Sequence, residues 1–141
     1  MIEMLAVAAL LYQATAPPAT APAQSEPPAY EGEWLVEVLD HIKVLPESRI
    51  TMKIRANAVN GAASCNTYRG TFTVQDDVVR VGQLLRTMKA CDGPRMSEEG
   101  DFFALLQAVV KLEVRANDTL ALTTRDGKVI AAKRVGPSSQ R

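Results

Sequence analysis

Apolar and polar residues alternate in short runs from residue 34 onwards, the pattern of β-strands with one buried face. Residues 50–55 read Ile-Thr-Met-Lys-Ile-Arg, and residues 67–74 place Tyr68, Gly70, Phe72 and Val74 on one face. Further short apolar runs occupy residues 34–42, 59–63, 78–81, 112–114, 120–122 and 129–131. The pattern therefore predicts about eight short strands.

Turn residues separate these runs. Asp76 and Asp77 lie between two runs, Asn117 and Asp118 between the next two, and Asp126-Gly127 precedes the last. Asp-Gly between two apolar runs is a strong hairpin signal. Short connections of this kind join antiparallel neighbours, so we expect an antiparallel sheet.

A helical period replaces the alternation over residues 97–110. Ser97 is a suitable N-cap, and the acids Glu98 and Glu99 would then lie in the first turn, where the helix dipole favours anions. The apolar residues recur at steps of three and four, at Phe102, Phe103, Leu106, Val109 and Val110. We predict an α+β fold, an antiparallel sheet curled or barrel-like with this one helix packed on it.

The first 29 residues have a different composition, with no Lys or Arg, nine of the alanines and five of the eight prolines. Residues 4–12 form an apolar run, shorter than the roughly 20 residues of a membrane-spanning helix. Ala14 and Ala16 follow it in a pattern typical of signal-peptidase sites. We predict a signal peptide over residues 1–16 and a disordered Pro/Ala-rich spacer over 17–29. The alternative is a loosely docked N-terminal arm.

Charge is balanced over the whole chain, with 16 Lys plus Arg and 16 Asp plus Glu. The balance changes when residues 1–29 are set aside, because residues 30–141 hold all 16 bases but only 14 of the acids, a net charge of +2. That near-neutral charge argues against a nucleic-acid partner. We expect one domain over residues 30–135 and a flexible tail over 136–141.

The chain has two cysteines, Cys65 and Cys91, and one histidine, His41. In an exported protein a disulfide between the cysteines is the first hypothesis, and two buried thiols or one nucleophilic thiol are the alternatives. This set is too small for a closed zinc site, so we expect no metal and no cofactor. No cysteine lies near the end of the apolar leader, so we expect no lipid anchor. We also expect no transmembrane anchor, because the apolar run of nine residues is too short to span a membrane.

Two further groups of charged residues need an interpretation. The adjacent acids Asp76-Asp77 and Glu98-Glu99 are better explained as a turn and as helix N-terminal charge than as a catalytic carboxylate pair. A basic stretch over residues 80–95 would suit an anionic ligand, although such a stretch is usually a solvated face. Its possible anion-binding residues are Arg80, Arg86, Lys89 and Arg95.

One set of motifs resembles a known family. Residues 61–72 read Gly-Ala-Ala-Ser-Cys-Asn-Thr-Tyr-Arg-Gly-Thr-Phe, residues 85–91 read Leu-Arg-Thr-Met-Lys-Ala-Cys, and an acidic, aromatic helix follows. This order is similar to that of the META domain family, which includes the HslJ heat-shock protein of bacteria. The matching residues, to which the resemblance gives a structural role, are Trp34, Gly61, Asn66, Tyr68, Gly70, Phe72 and Thr87.

One position departs from the family motif. Ser64 stands where the family commonly has glycine, and a positive φ at that site would strain serine. The resemblance implies a small α+β domain, export to the bacterial periplasm or envelope, and a link with stress or novobiocin tolerance. It carries no established catalytic residues.

Three functions follow as hypotheses. The first is a non-enzymatic, exported envelope protein, a stress-associated binding or structural module with an unknown protein or small-molecule partner. The second is a small-molecule or anion-binding domain that uses the basic stretch. The third is a thiol-dependent enzyme using Cys65 or Cys91.

Overall fold

The computed structural model describes residues 12–18 and 26–136. Most of the predicted signal peptide, the middle of the predicted spacer and nearly all of the predicted tail lie outside the described residues. Residues 12–18 and 26–28 belong to no helix or strand, and their side chains are exposed.

The described residues form ten strands and one helix. In chain order these are β1 Gly32–Leu39, β2 Ile42–Lys43, β3 Thr51–Arg55, β4 Ala58–Ala62, β5 Thr67–Gln75, β6 Val78–Val81, β7 Leu85–Arg86, α1 Gly93–Ala108, β8 Val109–Arg115, β9 Thr119–Thr124 and β10 Val129–Arg134.

Eight of the strands close into an antiparallel barrel in the order β1-β3-β4-β5-β6-β8-β9-β10, with β10 paired back onto β1. The two short strands lie off this ring, since β2 pairs with β1 and β7 with β5. The predicted α+β class, a curled antiparallel sheet with one helix, is confirmed.

The first strand is shorter than predicted. It ends at Leu39, and not at residue 42, because Asp40 and His41 adopt positive φ angles of 43° and 72° and reverse the chain into β2. Asp and His are among the residues that tolerate this left-handed region best. The apolar residues Leu39 and Ile42 on either side of Asp40-His41 therefore hid a tight turn.

The turn predicted at Asp76 and Asp77 joins β5 to β6. Both residues have positive φ, 51° and 63°, as a two-residue hairpin loop of type I′ requires. Asp118, with φ 57°, and Gly127, with φ 86°, lie in the two turns that connect β8, β9 and β10. Acidic turn residues thus set the hairpin geometry at two of these turns, and glycine does so at the third.

The core fills the barrel and the contact between barrel and helix. Trp34 on β1 is fully buried, and its register partners are Met52 on β3 and Arg134 on β10. Tyr68 on β5 makes edge-to-face contacts with Phe102 and Phe103 of α1, with ring centroids 5.4 and 5.5 Å apart. Aromatic packing of this kind fixes the helix on the sheet.

The predicted helix boundaries were wrong at both ends. The N-cap is Asp92, whose Oδ1 accepts the Arg95 N–H at 3.0 Å, and Pro94 lies in the first turn, where proline loses no helical hydrogen bond. The helix ends at Ala108, because Val109 already has extended backbone and begins β8. Ser97 is consequently an internal helix residue.

Candidate functional site

The family-like motif forms one connected cluster at the start of β5. The turn at residues 63–66 joins β4 to β5, and a disulfide links its Cys65 to Cys91, just before α1. The two Cα atoms are 6.0 Å apart, a usual spacing for a disulfide. The crosslink ties the turn to the segment that leads into the helix.

The carboxylate of Glu99 holds the same turn from the helix side. Its Oε2 accepts the backbone N–H groups of Cys65 and Asn66 at 2.7 and 2.9 Å, and its Oε1 accepts the Asn66 side-chain amide at 2.7 Å. Glu99 is only 2% exposed. A buried carboxylate is tolerated when several donors satisfy it, as these three N–H groups do.

The side-chain oxygen of Asn66 accepts hydrogen bonds from the segment that precedes the helix. Its Oδ1 accepts the Lys89 N–H at 2.6 Å and the Thr87 hydroxyl at 2.9 Å, and its Nδ2 also donates to the Lys89 carbonyl at 3.2 Å. One buried side chain therefore joins the β4–β5 turn, α1 and the segment at residues 87–89.

Glu98 makes a second pair of contacts. Its Oε1 accepts the Ser64 hydroxyl at 2.6 Å, and its Oε2 accepts the Leu45 N–H at 2.7 Å. Ser64 is not among the residues with positive φ, so the strain considered for serine in place of glycine is not present. The serine instead adds a hydrogen bond that glycine cannot make.

The interpretation of Glu98 and Glu99 as charge at a helix N-terminus was wrong, since α1 begins at Gly93 and both acids lie further along it. Sequence reasoning missed their contacts with the turn. One signal was available, because Glu99 precedes Phe102, Phe103 and Leu106 by three, four and seven positions and so shares their buried stripe.

Four more motif residues are placed by close packing. The Tyr68 hydroxyl donates to the Thr51 carbonyl at 2.7 Å, and burial raises the pKa of Tyr68 far above its ordinary value. A Cβ at Gly61 would collide with the Thr51 carbonyl, and one at Gly70 would press into Leu84. Phe72 is buried in the core. These residues fill space inside the barrel wall.

Trp34 belongs to a separate contact at the first strand. Its indole N–H donates to the Tyr30 carbonyl at 2.9 Å, and the Arg134 guanidinium lies 4.3 Å from its ring centroid. Arg134 also donates to the carbonyls of Ala29 and Glu31 at 2.6 and 3.0 Å. Strand β10 thus holds the segment that leads into β1.

The four possible anion-binding residues are distributed over β6, β7, the segment before α1 and α1 itself. Arg95 forms an ion pair with Asp92 at 2.6 Å, and Arg86 lies 4.9 Å over the ring of Phe103. Arg80 is an exposed residue of β6, and Lys89 meets Asn66 through its backbone. Two of the four cations are therefore already engaged by other side chains.

His41 and the acidic residues form no metal site with the two cysteines in the part of the chain that the structure describes. The His41 side chain is 94% exposed and its nearest acid is Asp40 at 4.0 Å. In residues 12–18 and 26–136, no three His, Cys, Asp or Glu residues are grouped to hold a metal ion. Within those same ranges no helix has the length and apolar character needed to cross a membrane.

An apolar groove of about 500 Å³ lies between α1 and the short strand β2. We call it the α1–β2 groove; β1 and β2, one side of α1 and the β9–β10 turn enclose it. Its lining includes Leu39, Ile42, Leu45 and Leu105, together with four acids and two lysines.

Comparisons with known proteins agree with this geometry. Residues 28–136 match the META domain. The fold is similar to that of a protein from Burkholderia xenovorans solved by NMR, with a TM-score of 0.64 and 21% identity over 76% of this chain and 83% of that one. Another NMR structure gives a TM-score of 0.59 and 17% identity over 73% and 88% of the two chains. No curated protein sequence matches the chain. Because the family match covers most of its length, this chain belongs to the META domain family.

Proposed function

We propose that this META domain protein is a non-enzymatic, exported binding or structural module of the bacterial envelope, with a role in stress or antibiotic tolerance. The observation that carries the proposal is the Cys65–Cys91 disulfide. Disulfides persist in oxidising compartments such as the periplasm and are rare in the cytosol. The signal peptide predicted over residues 1–16 supports the same location.

The hydrogen bonds of the motif support the non-enzymatic part of the proposal. Glu98 and Glu99 are used to hold backbone and side-chain donors of the turn, and both cysteines are used in the crosslink. A nucleophilic thiol would require a free thiolate and a nearby base, and the exposed His41 contacts neither cysteine. These groups stabilise the fold.

An anion-binding function on the basic stretch has less support. Arg86 is the one member of the four that lines the shallow groove beside β5 and β7, and Arg95 is neutralised by Asp92. Recognition of an anion usually needs several donors converging on one point. We therefore keep the binding or structural module as the first proposal.

Mass spectrometry of the natural protein tests the proposal. Cell fractions are treated with iodoacetamide before and after reduction, and the labelled cysteines are counted. We expect the protein in the periplasmic or secreted fraction, shortened at its N-terminus, with neither cysteine labelled before reduction and both labelled after it. A Cys91→Ser variant is the control, since its remaining thiol at Cys65 should react without reduction.

The outcome that contradicts the proposal is full-length cytosolic protein with both thiols free. Reproducible turnover of a substrate, lost in one defined variant of a folded protein, would contradict its non-enzymatic part. The tolerance role is tested separately, by growth of a deletion strain under heat or antibiotic, complemented by the natural chain. Equal growth with and without the gene would exclude that role.

A further inference from the structure

The α1–β2 groove has an apolar floor. Leu39 and Leu105 are buried at its base, and Ile42 at its edge is 69% exposed. Ala104 and Ala108 of α1 leave space above the floor because their side chains are short. The volume of about 500 Å³ lies in the range of roughly 300 to 1,000 Å³ that small-molecule sites occupy.

The rim of the groove has an excess of negative charge. It carries Asp40, Glu98, Asp101 and Asp126 against two lysines, Lys43 and Lys128. Four acids and two bases leave a net of two negative charges over an apolar surface. A ligand with positive charge and an apolar body is complementary to both features.

Two of the acidic residues on the rim are not neutralised by a basic side chain in the described part of the chain. Lys128 lies 3.7 Å from Asp126 and neutralises that acid. Within residues 12–18 and 26–136, Asp101 has no ion-pair partner, and Glu98 accepts hydrogen bonds from neutral donors only. Both lie three positions apart on the groove face of α1, so their carboxylates act on the same part of the rim.

We propose that the α1–β2 groove binds a small organic cation, an ammonium group on an apolar body, with the body against Leu39, Ile42 and Leu105 and the ammonium beside Asp101 and Glu98. This inference deepens the proposed function, because it names a ligand class for the binding module. The disulfide and fractionation test does not depend on it, so each of the two can fail without the other.

Three probes with one naphthalene body test the proposal. They are 1-naphthylmethylamine, 1-naphthalenemethanol and 1-naphthoate, which are cationic, neutral and anionic at neutral pH. Each is titrated into the folded, disulfide-bonded protein and followed by amide chemical shifts. The cation should bind with a dissociation constant on the order of 1 mM, about threefold or more tighter than the alcohol. The largest shifts should fall at Ile42, Ala104 and Ala108.

Two variants locate the binding. Asp101→Asn should weaken cation binding about two- to fivefold, as expected for a partly exposed ion pair, and Asp77→Asn in the distant β5–β6 turn is the matched control with no effect. Ala104→Arg places a tethered cation at the groove and should abolish binding. Ala116→Arg, on the β8–β9 turn, controls for added charge.

Several results would overturn the proposal. Naphthoate binding as tightly as the amine would remove the charge argument, and unchanged affinity in Asp101→Asn would do the same. Shifts confined to residues outside the groove would remove the location. Binding of a short lysine-containing apolar peptide, with no binding of the amine, would replace the small cation by a peptide partner.

Discussion

Asn66 and Glu99 meet through two hydrogen bonds: the Asn66 side-chain amide donates to Oε1 of Glu99 at 2.7 Å, and its backbone N–H donates to Oε2 at 2.9 Å. Both residues are nearly inaccessible to water. The pair joins the β4–β5 turn to the helix through hydrogen-bonded polar groups. Its strength is therefore open to direct measurement.

Replacing Asn66 by Asp should be strongly destabilising. The Asn66→Asp change removes the donor to Glu99 and places two carboxylates side by side in a buried site. We expect a loss of about 3 kcal/mol or more in the free energy of unfolding at neutral pH. The loss should be smaller in acid, where protonation of either carboxyl removes the repulsion. Urea unfolding at both pH values measures it.

Asn60→Asp, at an exposed position of β4, is the control for this change. Its effect on the free energy of unfolding should stay within about 0.5 kcal/mol. Equal stability of the two variants would show that the Asn66 contacts contribute little to folding.

Removing the disulfide should lower stability through the unfolded chain. The residues it joins are 26 positions apart, and a loop of that length contributes roughly 3 to 4 kcal/mol in the chain-entropy account. The variant with both Cys65→Ala and Cys91→Ala should lose about that amount in urea unfolding. Reductant should shift the natural protein by a similar amount and leave the double variant unchanged. Identical midpoints for all samples would contradict the structural role of the crosslink.

Restoring the glycine common in the family at position 64 should destabilise this protein. Ser64→Gly removes the hydroxyl that donates to Glu98 at 2.6 Å and frees the unfolded backbone, which together should cost about 2 kcal/mol. Ser64→Ala separates the two effects, because it removes only the hydroxyl. A glycine variant more stable than the natural protein would show that the Ser64–Glu98 hydrogen bond contributes no net stability.

Arg134→Lys should loosen the contact between the two ends of the domain. Lysine keeps the charge but loses the planar stack on Trp34 and the fork that reaches the Ala29 and Glu31 carbonyls. We expect a loss of about 1 to 2 kcal/mol and a change in fluorescence, to which Trp34 contributes as the single tryptophan of the chain. Arg115→Lys, at an exposed position of β8, is the control and should change neither signal. An unaltered spectrum in Arg134→Lys would argue against the stacked arrangement.

The helix N-cap should give a pH-dependent contribution to stability. Hydrogen bonds from the Arg95 backbone and then from its side chain lower the pKa of Asp92. A carboxyl group whose pKa is lowered by folding stabilises the folded protein at pH values above its ordinary pKa. This contribution disappears as the pH falls through the lowered pKa. The natural protein should therefore exceed Asp92→Asn in stability at neutral pH.

That difference should shrink in acid, because asparagine keeps the cap but not the ion pair. Asp92→Ala should be less stable than Asp92→Asn across the range, since alanine has no cap acceptor. Thermal unfolding between neutral and strongly acidic pH measures all three proteins. If the difference in stability between the natural protein and Asp92→Asn did not change with pH, the ion pair would make no contribution.

Much of the barrel could be predicted from the sequence because the relevant patterns are local. Alternation within a strand and acidic residues in a two-residue turn are readable over a few positions, and β6 was predicted with its observed bounds. The helix start was misjudged because Ser97 has the chemistry of a cap, whereas Asp92-Gly93-Pro94 carries the same signal one turn earlier. Strand β7 has only two residues and too little length for any period.

The contacts of the motif could not be predicted, because they join residues between 17 and 34 positions apart in the chain. Glu99 could be recognised as an acid in an apolar stripe, but only the fold brings it to the backbone of Cys65 and Asn66. The closing of the barrel is equally non-local, since the pairing of β1 with β10 leaves no periodic trace in either strand.

This closure also makes the sheet depend on the last strand to be synthesised. The partner strands of Trp34 are β3, made soon after it, and β10, the last strand of the chain. Without residues 129–134, β1 and β9 would each have an open edge at which another chain can add a strand. A chaperone that keeps the nascent protein extended would protect both edges, and any premature stop before residue 129 would leave them permanently exposed.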